Sequence, residues 1–475
     1  MRPAMSSVVR EQRMESRSAS RFTGRRVHFI GIGGCGMSGL ASMLLDAGAI
    51  VTGSEPNLNP QTMQLIKRGA KISRDQMGEL LSHETDLVVR TAAVPDSNIE
   101  FKAAAKYGVE TIKYAELLGQ VMSERFGVAV AGTHGKSTTT AMIAFALHEC
   151  GADPSFVVGG TVPQLGNAGS RSGQSDLFVA EACEYAKSFH HLSPKVALVT
   201  NIEREHLDCY RDIYDIIEAF RTFVNKVSAG GTIIANGRDK HVEASIRDAY
   251  ASVETVSLTP GTTWSTFPTG LQSGCPTGAI TKDGKPVGTL NLAVAGEHNL
   301  CNATMAVAAC AACGVDASAA AEAVSRFTGV ERRMQIVGSR DGWTVVDDYG
   351  HHPTEIVATL KALRQRFNPK RLICLFQPHQ YSRTRELFDD FATSFADADI
   401  TVVTDIYFVR DSEADRMSVS GKSLVAAIND NGNKAIHMPN FGQIVEYLKG
   451  TVRAGDLVVT MGAGNIWEVG RDVIG

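Results

Sequence analysis

The sequence lacks any apolar run long enough to cross a bilayer, and it lacks a strong excess of charge of either sign. No apolar segment reaches the roughly 18 residues that would indicate a membrane span. Lysine and arginine number 47 against 51 aspartates and glutamates, which gives a formal net charge of −4. Because positive and negative charges are nearly balanced, the protein has no strong electrostatic field that would attract nucleic acid or an acidic membrane. These two absences argue against nucleic-acid-binding proteins and membrane proteins.

A disulfide framework is also absent. The nine cysteines are scattered and odd in number, and their spacing matches no framework. Cys310 and Cys313 form a C-x-x-C without a second pair, in an alanine-rich stretch, and we interpret them as small buried helix residues rather than metal ligands or a redox pair. The cysteine usage predicts a reducing, cytoplasmic location.

The first 25 residues differ in composition from the rest. Seven arginines fall between Arg2 and Arg26, and the only acids among them are Glu11 and Glu15. No apolar segment of the kind found in a secretory signal follows. We expect residues 1–25 to be a disordered arginine-rich tail, or an extension produced by a start codon placed too early.

The rest of the chain alternates short apolar runs with amphipathic stretches, which predicts βαβ units, mostly parallel sheets and the α/β class. A length of 475 residues suggests about three domains. We expect a Rossmann-like domain over 26–124, a phosphate-loop ATPase domain over 125–328 and a second Rossmann-like domain over 329–475, each with flanking helices. The Gly-, Thr- and Pro-rich stretch 250–292 predicts hairpins at a sheet edge. The same patterns predict helices over Leu117–Phe126 and Ser382–Phe395 and a strand over Arg371–Phe376.

The segment Gly132–Thr138 reads G-T-H-G-K-S-T between an apolar strand and a helix. A strand, a glycine turn and a helix N-terminus together present N–H groups and a positive dipole end to an anion. Lys136 can reach terminal phosphates, and Ser137 offers a hydroxyl to Mg²⁺. Two residues, rather than the four of a strict Walker A motif, separate the first glycine from the Gly-Lys pair. The pattern predicts a phosphate-binding loop, which a ligase, a kinase or an ATPase could each use.

Two later strands are predicted to end on polar side chains at the same sheet edge. One run ends at Glu181, where a carboxylate can hold Mg²⁺ beside a phosphate loop. The other, ending at Thr200, continues as N-I-E-R-E-H-L-D and carries His206. We therefore predict that Glu181 and His206 lie near the phosphate loop.

The first domain carries a second glycine-rich loop, G-I-G-G-C-G, from Gly31 to Gly36, and Glu55 follows the next predicted strand. This spacing fits a dinucleotide fingerprint, with the acid on a ribose hydroxyl. Such a loop requires only that its backbone can lie close to a pyrophosphate. A UDP-sugar also contains a pyrophosphate, so it fits equally well. A nicotinamide-dependent dehydrogenase stays open on this loop alone, although it would leave the phosphate loop, Glu181 and His206 without a role.

The third domain holds two dense polar segments. One is D-D-Y-G-H-H-P-T-E, in which Pro353 suits the first turn of a helix and places His351 in the loop before it. The other begins after the strand ending at Phe376 and contains Arg383 and Arg385 at a helix start, which suits a carboxylate or phosphate. We expect these segments to position a substrate rather than to bind a metal.

Read together, these motifs resemble the Mur ligase family, in order from about Val27 to Gly470. The glycine loop H-F-I-G-I-G-G-x-G-M-S-G-L-A, the phosphate loop, the T-N-I-E-x-x-H-L-D run and G-E-H-N-L-C-N-A at Gly296 all carry the likeness. The family implies ATP and Mg²⁺ as cofactors and an amide-bond ligase that phosphorylates a carboxylate. The first loop resembles the members that join L-alanine to UDP-N-acetylmuramate, as a monomer or a homodimer.

The resemblance also assigns roles to individual residues. It implies catalytic roles for Lys136, Glu181, His206, His351 and Arg383, and Mg²⁺ ligation by Ser137, Glu181 and His206. It implies that ATP is contacted by Gly132, Thr133, His134, Gly135, Lys136, Ser137, Thr138, His298, Asn302, Arg333 and Asp348. It implies that the two other substrates are contacted by Gly31, Gly33, Gly34, Gly36, Met37, Glu55, Thr91, Tyr349, His351 and Arg383.

The chain departs from the family pattern at several positions. Glu55 stands where the family usually has aspartate, and Gln380 where it often has arginine, so that the carboxylate contact is assigned to Arg383. The run E-A-C-E-Y from Glu181 replaces the E-A-D-E-S that is usual in the L-alanine enzyme. This last difference leaves a ligase that recycles whole peptides onto the same sugar nucleotide as the alternative within the family.

Overall fold

The computed structural model describes residues 20–91 and 93–475. Residues 1–19, most of the predicted tail, and Ala92 in the loop after Thr91 lie outside this description. Residues 20–25 were assigned to the disordered tail, and this is corrected: Phe22 is 1% exposed, and the Ser20 hydroxyl donates a hydrogen bond to Glu124. A buried phenylalanine fixes these residues against the first two domains.

The first sheet is parallel throughout, with strand order β3-β2-β1-β4-β5. This order is the one typical of a Rossmann-like domain. Its strands are β1 (Arg26–Ile30), β2 (Ile50–Ser54), β3 (Lys71–Ser73), β4 (Leu87–Arg90) and β5 (Thr111–Lys113). The helices between and after them are α1 (Cys35–Asp46), α2 (Pro60–Lys67), α3 (Ile99–Tyr107) and α4 (Tyr114–Ser123).

The second sheet has strand order β15-β14-β13-β12-β11-β10-β6-β9-β7-β8. The strands from β13 to β7 pair in parallel, and the two edges are antiparallel hairpins, as the composition of 250–292 predicts at one edge. Its strands are β6 (Phe126–Ala131), β7 (Ser155–Val162), β8 (Ala168–Arg171), β9 (Leu177–Glu181), β10 (Val196–Val199), β11 (Thr232–Asn236), β12 (Ser252–Ser257), β13 (Trp264–Gln272), β14 (Cys275–Lys282) and β15 (Lys285–Asn291). Its helices are α5 (Lys136–Glu149), α6 (Ile213–Val224), α7 (Lys240–Ile246), α8 (His298–Ala312) and α9 (Ala317–Ser325).

The third sheet has order β16-β17-β21-β18-β19-β20, antiparallel only between β16 and β17. Its strands are β16 (Gln335–Arg340), β17 (Trp343–Asp348), β18 (Arg371–Phe376), β19 (Ile400–Val403), β20 (Ala435–His437) and β21 (Asp456–Met461). Its helices are α10 (Pro353–Phe367), α11 (Tyr381–Glu386), α12 (Phe388–Thr393), α13 (Glu413–Ser418), α14 (Gly421–Asp430), α15 (Phe441–Thr451) and α16 (Trp467–Ile474). The predicted α/β class with three largely parallel sheets is confirmed.

One apolar core joins the first two domains. It runs from Phe29 of β1 through Leu118 of α4 to Phe178 of β9 and Phe189, all buried. At the contact, a Cβ on Gly119 would overlap the carbonyl of His191, so the backbones meet directly. The third domain has apolar clusters of its own. The first two domains therefore share one core, whereas the third has cores of its own and meets the second through polar side chains and a small apolar cluster of Cys275, Ala295 and Ala362.

Two predicted helices need correction, and the C-x-x-C prediction is consistent with the structure. The helix predicted over Ser382–Phe395 is broken at Leu387, whose φ of −113° and ψ of 24° leave the helical region. The break lets Leu387, Phe391 and Phe395 enter one core. The helix predicted to reach Phe126 ends at Ser123, and Phe126 opens β6 instead. Cys310 and Cys313 are buried, and neither is part of a disulfide.

Within residues 20–91 and 93–475, no helix is both long enough and apolar enough to span a membrane.

Candidate active site

The loop between β6 and α5 is fixed by the polar end of the neighbouring strand β10. Asn201 accepts hydrogen bonds from the backbone N–H groups of Thr133 and His134 at 3.0 and 2.8 Å. The Thr200 hydroxyl donates to the His134 carbonyl at 2.7 Å. Gly132 approaches Thr200 so closely that a Cβ would lie 1.9 Å from its Oγ1. The loop is thus held open toward the carboxyl edge of the sheet, where β9, β6 and β10 lie side by side.

Lys136 lies in this loop with its ammonium folded against Glu184. Its Nζ donates to Glu184 Oε1 at 2.9 Å and to the carbonyls of Gly132 and Thr133. Burial lowers the pKa of this ammonium, but the Glu184 carboxylate outweighs burial and leaves the pKa above its usual value. Lys136 is therefore a fixed positive charge at the helix N-terminus.

Glu184 joins Lys136 to His206. The same Oε1 lies 3.7 Å from His206 Nε2, while Glu184 Oε2 and His206 Nδ1 are buried without a hydrogen-bond partner among the described residues. Burial lowers the pKa of His206, so that its imidazole is neutral. An unpaired carboxylate oxygen and a neutral imidazole nitrogen fit a hard divalent cation, because both can donate a lone pair.

Glu181 is at the end of β9, as predicted. Its carboxylate accepts a hydrogen bond from the Gly159 N–H. Ser137 is buried at the start of α5. The third predicted Mg²⁺ ligand, His206, lies 3.7 Å from Glu184 Oε1 and 3.9 Å from Glu205 Oε1.

A cavity of about 210 Å³ opens beside the phosphate loop, between the second and third domains. Eight of the eleven residues predicted to contact ATP line it, and the three others, Gly132, Thr133 and Lys136, lie in the loop next to it. The eight are His134, Gly135, Ser137, Thr138, His298, Asn302, Arg333 and Asp348. Burial lowers the pKa of His298 to about 4, which keeps its ring uncharged. Gly135 and Asn302 both line the cavity, and a Cβ on Gly135 would lie 2.9 Å from Asn302 Oδ1.

His134 connects the phosphate loop to the third domain. Its ring nitrogens lie 3.5 Å from Glu203 Oε2 and 3.3 Å from Glu355 Oε1. Burial lowers the pKa of His134, but Glu355 and Glu203 outweigh it and raise the pKa to about 9. The imidazolium is thus shared between a carboxylate of the second domain and one of the third.

His134, Glu203 and His352 are also the one set, among the described residues, of three or more His, Cys, Asp or Glu ligand atoms that all lie within 4.8 Å of one another. A metal there would need lone pairs on both histidines. His352 Nδ1 already accepts from the Thr354 N–H, and its Nε2 lies 3.2 Å from the Arg204 carbonyl. His134 is also protonated. The geometry therefore favours ion pairs of His134 with Glu203 and Glu355 over a metal site.

Arg383 forms the second polar contact between these domains. Its Nε and Nη2 each lie 2.8 Å from Glu205 Oε1, and both side chains are more than 90% buried. Burial raises the pKa of Glu205, but Arg383 outweighs it and holds that pKa far below its usual range. The predicted contact of Arg383 with a substrate carboxylate is thus filled by Glu205 in this state.

The third-domain segment around His351 faces the same region. His351 Nδ1 lies 3.1 Å from the Tyr349 carbonyl, and the Tyr349 ring lies against the guanidinium of Arg333 at 5.0 Å. Burial and the nearby Arg383 lower the pKa of His351 to about 3, so the ring is neutral. Burial raises the pKa of Asp348 to about 6, although its oxygens accept from the Gly350 and Met334 N–H groups.

The first glycine loop is held by the end of β2. Gly31 and Ile32 donate to the Ser54 carbonyl, each at 3.0 Å, and Gly33 donates to Glu55 Oε2 at 3.0 Å. Gly34 precedes α1 and Met37 lies in its first turn, where Gly36 lies against Tyr114 so closely that a Cβ would be 2.6 Å from its hydroxyl. Glu55, predicted to contact a ribose, follows β2 and binds the loop at Gly33, and Thr91 follows β4 on the other side of β1.

The glycine loop faces the phosphate-loop domain. Cys35, which opens α1, lies with its Sγ 3.6 Å from the Val158 carbonyl, and the next residue, Gly159, donates to Glu181. Burial, with a smaller contribution from Glu181, raises the pKa of Cys35. A ligand on this loop can therefore extend toward Glu181.

Sequence reasoning missed four carboxylates of this site: Glu184, Glu203, Glu205 and Glu355. Each was inside a segment already singled out for another residue. The available signal was the density of acids in those segments, but the sequence does not tell which acid faces which domain.

Family models match the chain in three consecutive segments. The Mur ligase family catalytic domain matches residues 26–126, the Mur ligase middle domain residues 130–310, and the Mur ligase glutamate ligase domain residues 332–464.

Curated relatives match over nearly the full length of the chain. The UDP-N-acetylmuramate--L-alanine ligase of Caldanaerobacter subterraneus is 42% identical over 94% of this chain and 96% of its own. The enzyme of the same name from Acetivibrio thermocellus is 40% identical over 94% of this chain and 95% of its own.

Solved structures agree. The UDP-N-acetylmuramate-alanine ligase of Thermotoga maritima superposes with a TM-score of 0.77 at 26% identity, over 94% of this chain and 98% of that one. A murein peptide ligase from Psychrobacter arcticus gives 0.68 at 25% identity, over 95% and 98%. The chain belongs to the Mur ligase family of ATP-dependent amide ligases.

Proposed function

We propose that this protein joins L-alanine to the carboxylate of UDP-N-acetylmuramate, using ATP and Mg²⁺, through an acyl phosphate. The observation that carries the proposal is the fixed phosphate loop, whose Lys136 binds Glu184. A cavity opens beside this loop, and the glycine loop of the first domain contacts the same domain at Val158. Its relatives at about 40% identity carry the name of that activity.

The protein contributes to this reaction mainly by positioning the substrates and by neutralising charge. A carboxylate is a poor electrophile because its leaving group would be an oxide ion, and phosphorylation converts that oxygen into a good leaving group. Phosphoryl transfer needs charge neutralisation and alignment. Lys136 and the N–H groups at the start of α5 supply positive charge beside the terminal phosphate of ATP.

Ser137, Glu181, Glu184 and His206 would hold Mg²⁺, of which Glu181 and Glu184 supply the negative charge. When bound, the cation neutralises the phosphate oxygens. The unpaired Glu184 Oε2 and His206 Nδ1 support this donor set. Lys136 is already within hydrogen-bond distance of Glu184. The Glu184 carboxylate would therefore orient both the Lys136 ammonium and Mg²⁺.

The third domain would bind L-alanine, whose amine is the nucleophile. L-Alanine arrives with a carboxylate, which Arg383 would bind by exchanging its Glu205 partner or sharing it. His351 is neutral, and its Nδ1 proton can be donated to the Tyr349 carbonyl, which leaves Nε2 to accept a hydrogen bond from the amine. The contacts of His134 and Arg383 close this domain on the second and exclude water from the acyl phosphate.

The alternative within the family is the ligase that recycles whole peptides. A murein peptide ligase shares the fold, and Cys183 and Tyr185 depart from the usual pattern. Tyr185 lies against the His206 ring at a centroid distance of 5.1 Å, so the departure falls within the site. The higher identity of the L-alanine relatives favours the first proposal. A dehydrogenase, the reading that the first glycine loop alone had left open, is ruled out by family membership.

The test is phosphate release from ATP and Mg²⁺ with UDP-N-acetylmuramate fixed and the amine varied among L-alanine, glycine, L-serine and a tripeptide. We expect release that requires both the sugar nucleotide and L-alanine. Release with the tripeptide and not with L-alanine would assign the chain to the recycling ligases. No release with any of these amines would overturn the proposal.

A further inference from the structure

A buried polar network is present in the first domain, outside the site described above. His28 and Ser54 are 0% exposed and Glu100 is 1% exposed. A buried carboxylate is costly unless its lone pairs are satisfied, so such a group holds its partners in place.

In this network the Glu100 carboxylate lies between the Ser54 hydroxyl and the His28 imidazole. Ser54 Oγ donates to Glu100 Oε2 at 2.5 Å, and Glu100 Oε1 lies 3.2 Å from His28 Nε2. His28 Nδ1 lies 2.9 Å from the Thr52 hydroxyl. A catalytic triad would place the imidazole between serine and acid to activate the hydroxyl. Here the serine donates to the acid directly and is buried, so the group is not a nucleophile.

The three side chains come from three separate segments. His28 is in β1, and Ser54 ends β2 opposite Ile30 of β1. Glu100 is in the first turn of α3, the helix that covers this face of the sheet. The carboxylate therefore ties α3 to two strands at once.

Two loops, which form the two walls of the predicted nucleotide site, are both connected to this network. On one side, the carbonyl of Ser54 accepts the N–H groups of Gly31 and Ile32, and Glu55 follows directly. On the other side, α3 continues from the loop after Thr91, which Arg90 holds through the Val94 carbonyl at 2.8 Å while its guanidinium lies over the Phe101 ring at 4.1 Å. Glu100 thus joins the strand that holds the glycine loop to the helix behind the opposite loop.

We propose that Ser54, Glu100 and His28 are positioning residues that set the spacing of these two walls and so the affinity for the uridine diphosphate part of the sugar nucleotide. The inference rests on the proposed function, since it assumes that the first domain binds UDP. None of the three touches the substrate in this proposal. Their effect is confined to nucleotide affinity and leaves the ATP site, in the second domain, unchanged.

The test is calorimetric titration of the full chain with UDP and, separately, with ATP and Mg²⁺. Glu100→Gln keeps the shape and removes the charge, and Ser54→Ala removes one hydroxyl should the first variant not fold. For each we expect the dissociation constant for UDP to rise by about tenfold, the factor that corresponds to one lost hydrogen bond to a charged group. The dissociation constant for ATP should stay within about twofold.

Ala105→Gly is the matched control, because it weakens the exposed side of the same helix without touching the network. It should lower the melting temperature and leave UDP affinity unchanged. If Glu100→Gln and Ser54→Ala bind UDP as the unmutated protein does, the network is merely structural and the proposal is overturned. If the unmutated protein binds neither UDP nor UDP-N-acetylmuramate, the nucleotide site itself is wrong, and the proposal fails with it.

Discussion

Glu184 is the residue with the most unusual surroundings in the site. One of its carboxylate oxygens binds Lys136, and the other is buried without a partner among the described residues. A lone pair left unpaired in a buried site favours a ligand that can use it. Glu184 therefore acts on both the phosphate loop and the cation.

Glu184→Gln tests this role. The amide keeps the shape but lacks the charge, so we expect the Mg²⁺ concentration for half-maximal phosphate release to rise by about tenfold or more. Glu149→Gln, at the exposed end of α5, is the matched control and should behave as the unmutated protein. An unchanged Mg²⁺ dependence in Glu184→Gln would exclude this carboxylate from the cation site.

His134 gives the site a pH dependence that can be measured as stability. Its folded pKa is about 9, above the roughly 6.5 of an unfolded histidine. A raised pKa contributes stability that is complete below about 6.5 and is lost as pH rises through about 9. We expect the stability advantage of the unmutated protein over His134→Gln to shrink across that window.

The measurement is the thermal midpoint of both proteins at pH 6.5 and pH 9.5. His437→Gln, which removes a surface pair with Asp405, is the control and should change the midpoint little at either pH. An equal difference between the unmutated protein and His134→Gln at the two pH values would mean that the imidazole is not charged in the folded state.

At the residue scale, the sequence could predict the groups that act through backbone geometry. Lys136, Ser137 and His206 follow strands whose ends are recognisable from apolar runs, so their common edge is predictable. The pairing of Arg383 with Glu205 and of His134 with Glu355 could not be predicted, because in each pair the acid lies on a different domain. Pairing across domains depends on how the domains dock, and no local pattern encodes it.

Among the elements, the turn from β6 to α5 is under the strongest steric constraint. Gly132 has φ of 140° and lies against Thr200. Gly132→Ala should destabilise the protein by about 2–4 kcal/mol and abolish ATP binding, because the methyl group would push the loop off β10.

Gly151→Ala separates backbone strain from the steric clash. Gly151 also has positive φ, 79°, but a Cβ there meets nothing within 4 Å. We expect a cost of about 1 kcal/mol by urea unfolding, with ATP binding retained. Equal effects of the two substitutions would show that conformation alone, and not contact with Thr200, sets the loop.

Elements were predicted best where one signal dominates. The buried parallel strands read as continuous apolar runs, and β18 was predicted to the residue. The helix over 382–395 was predicted unbroken because its amphipathic pattern continues through Leu387. The break comes from packing, which lets three apolar side chains reach one core.

In the whole molecule, the contact between the second and third domains depends on few side chains. Arg383→Ala would leave Glu205 buried and unpaired, which costs about 3–5 kcal/mol. The double substitution Glu205→Ala with Arg383→Ala should cost less than the single one, because no charge is then left unpaired. Differential scanning calorimetry of the unmutated protein, the two single variants and the double variant measures this difference.

Arg385→Gln is the control for that series, since its exposed pair with Asp415 lies within the third domain. It should change stability little. A double variant as unstable as the sum of its single variants would mean that the two residues do not interact.

The single core that joins the first two domains limits which domains such proteins can exchange during evolution. The surface that holds the glycine loop is also the surface that supports β9 and the residues after Glu181, so neither domain can be replaced alone without exposing Phe29, Leu118 or Phe189 to water. The third domain has its own cores and shares only a small apolar cluster, Cys275, Ala295 and Ala362, with the second, so it is less restricted. We therefore expect chimaeras between relatives to fold when the exchange is made near residue 329, and to aggregate when it is made near residue 124.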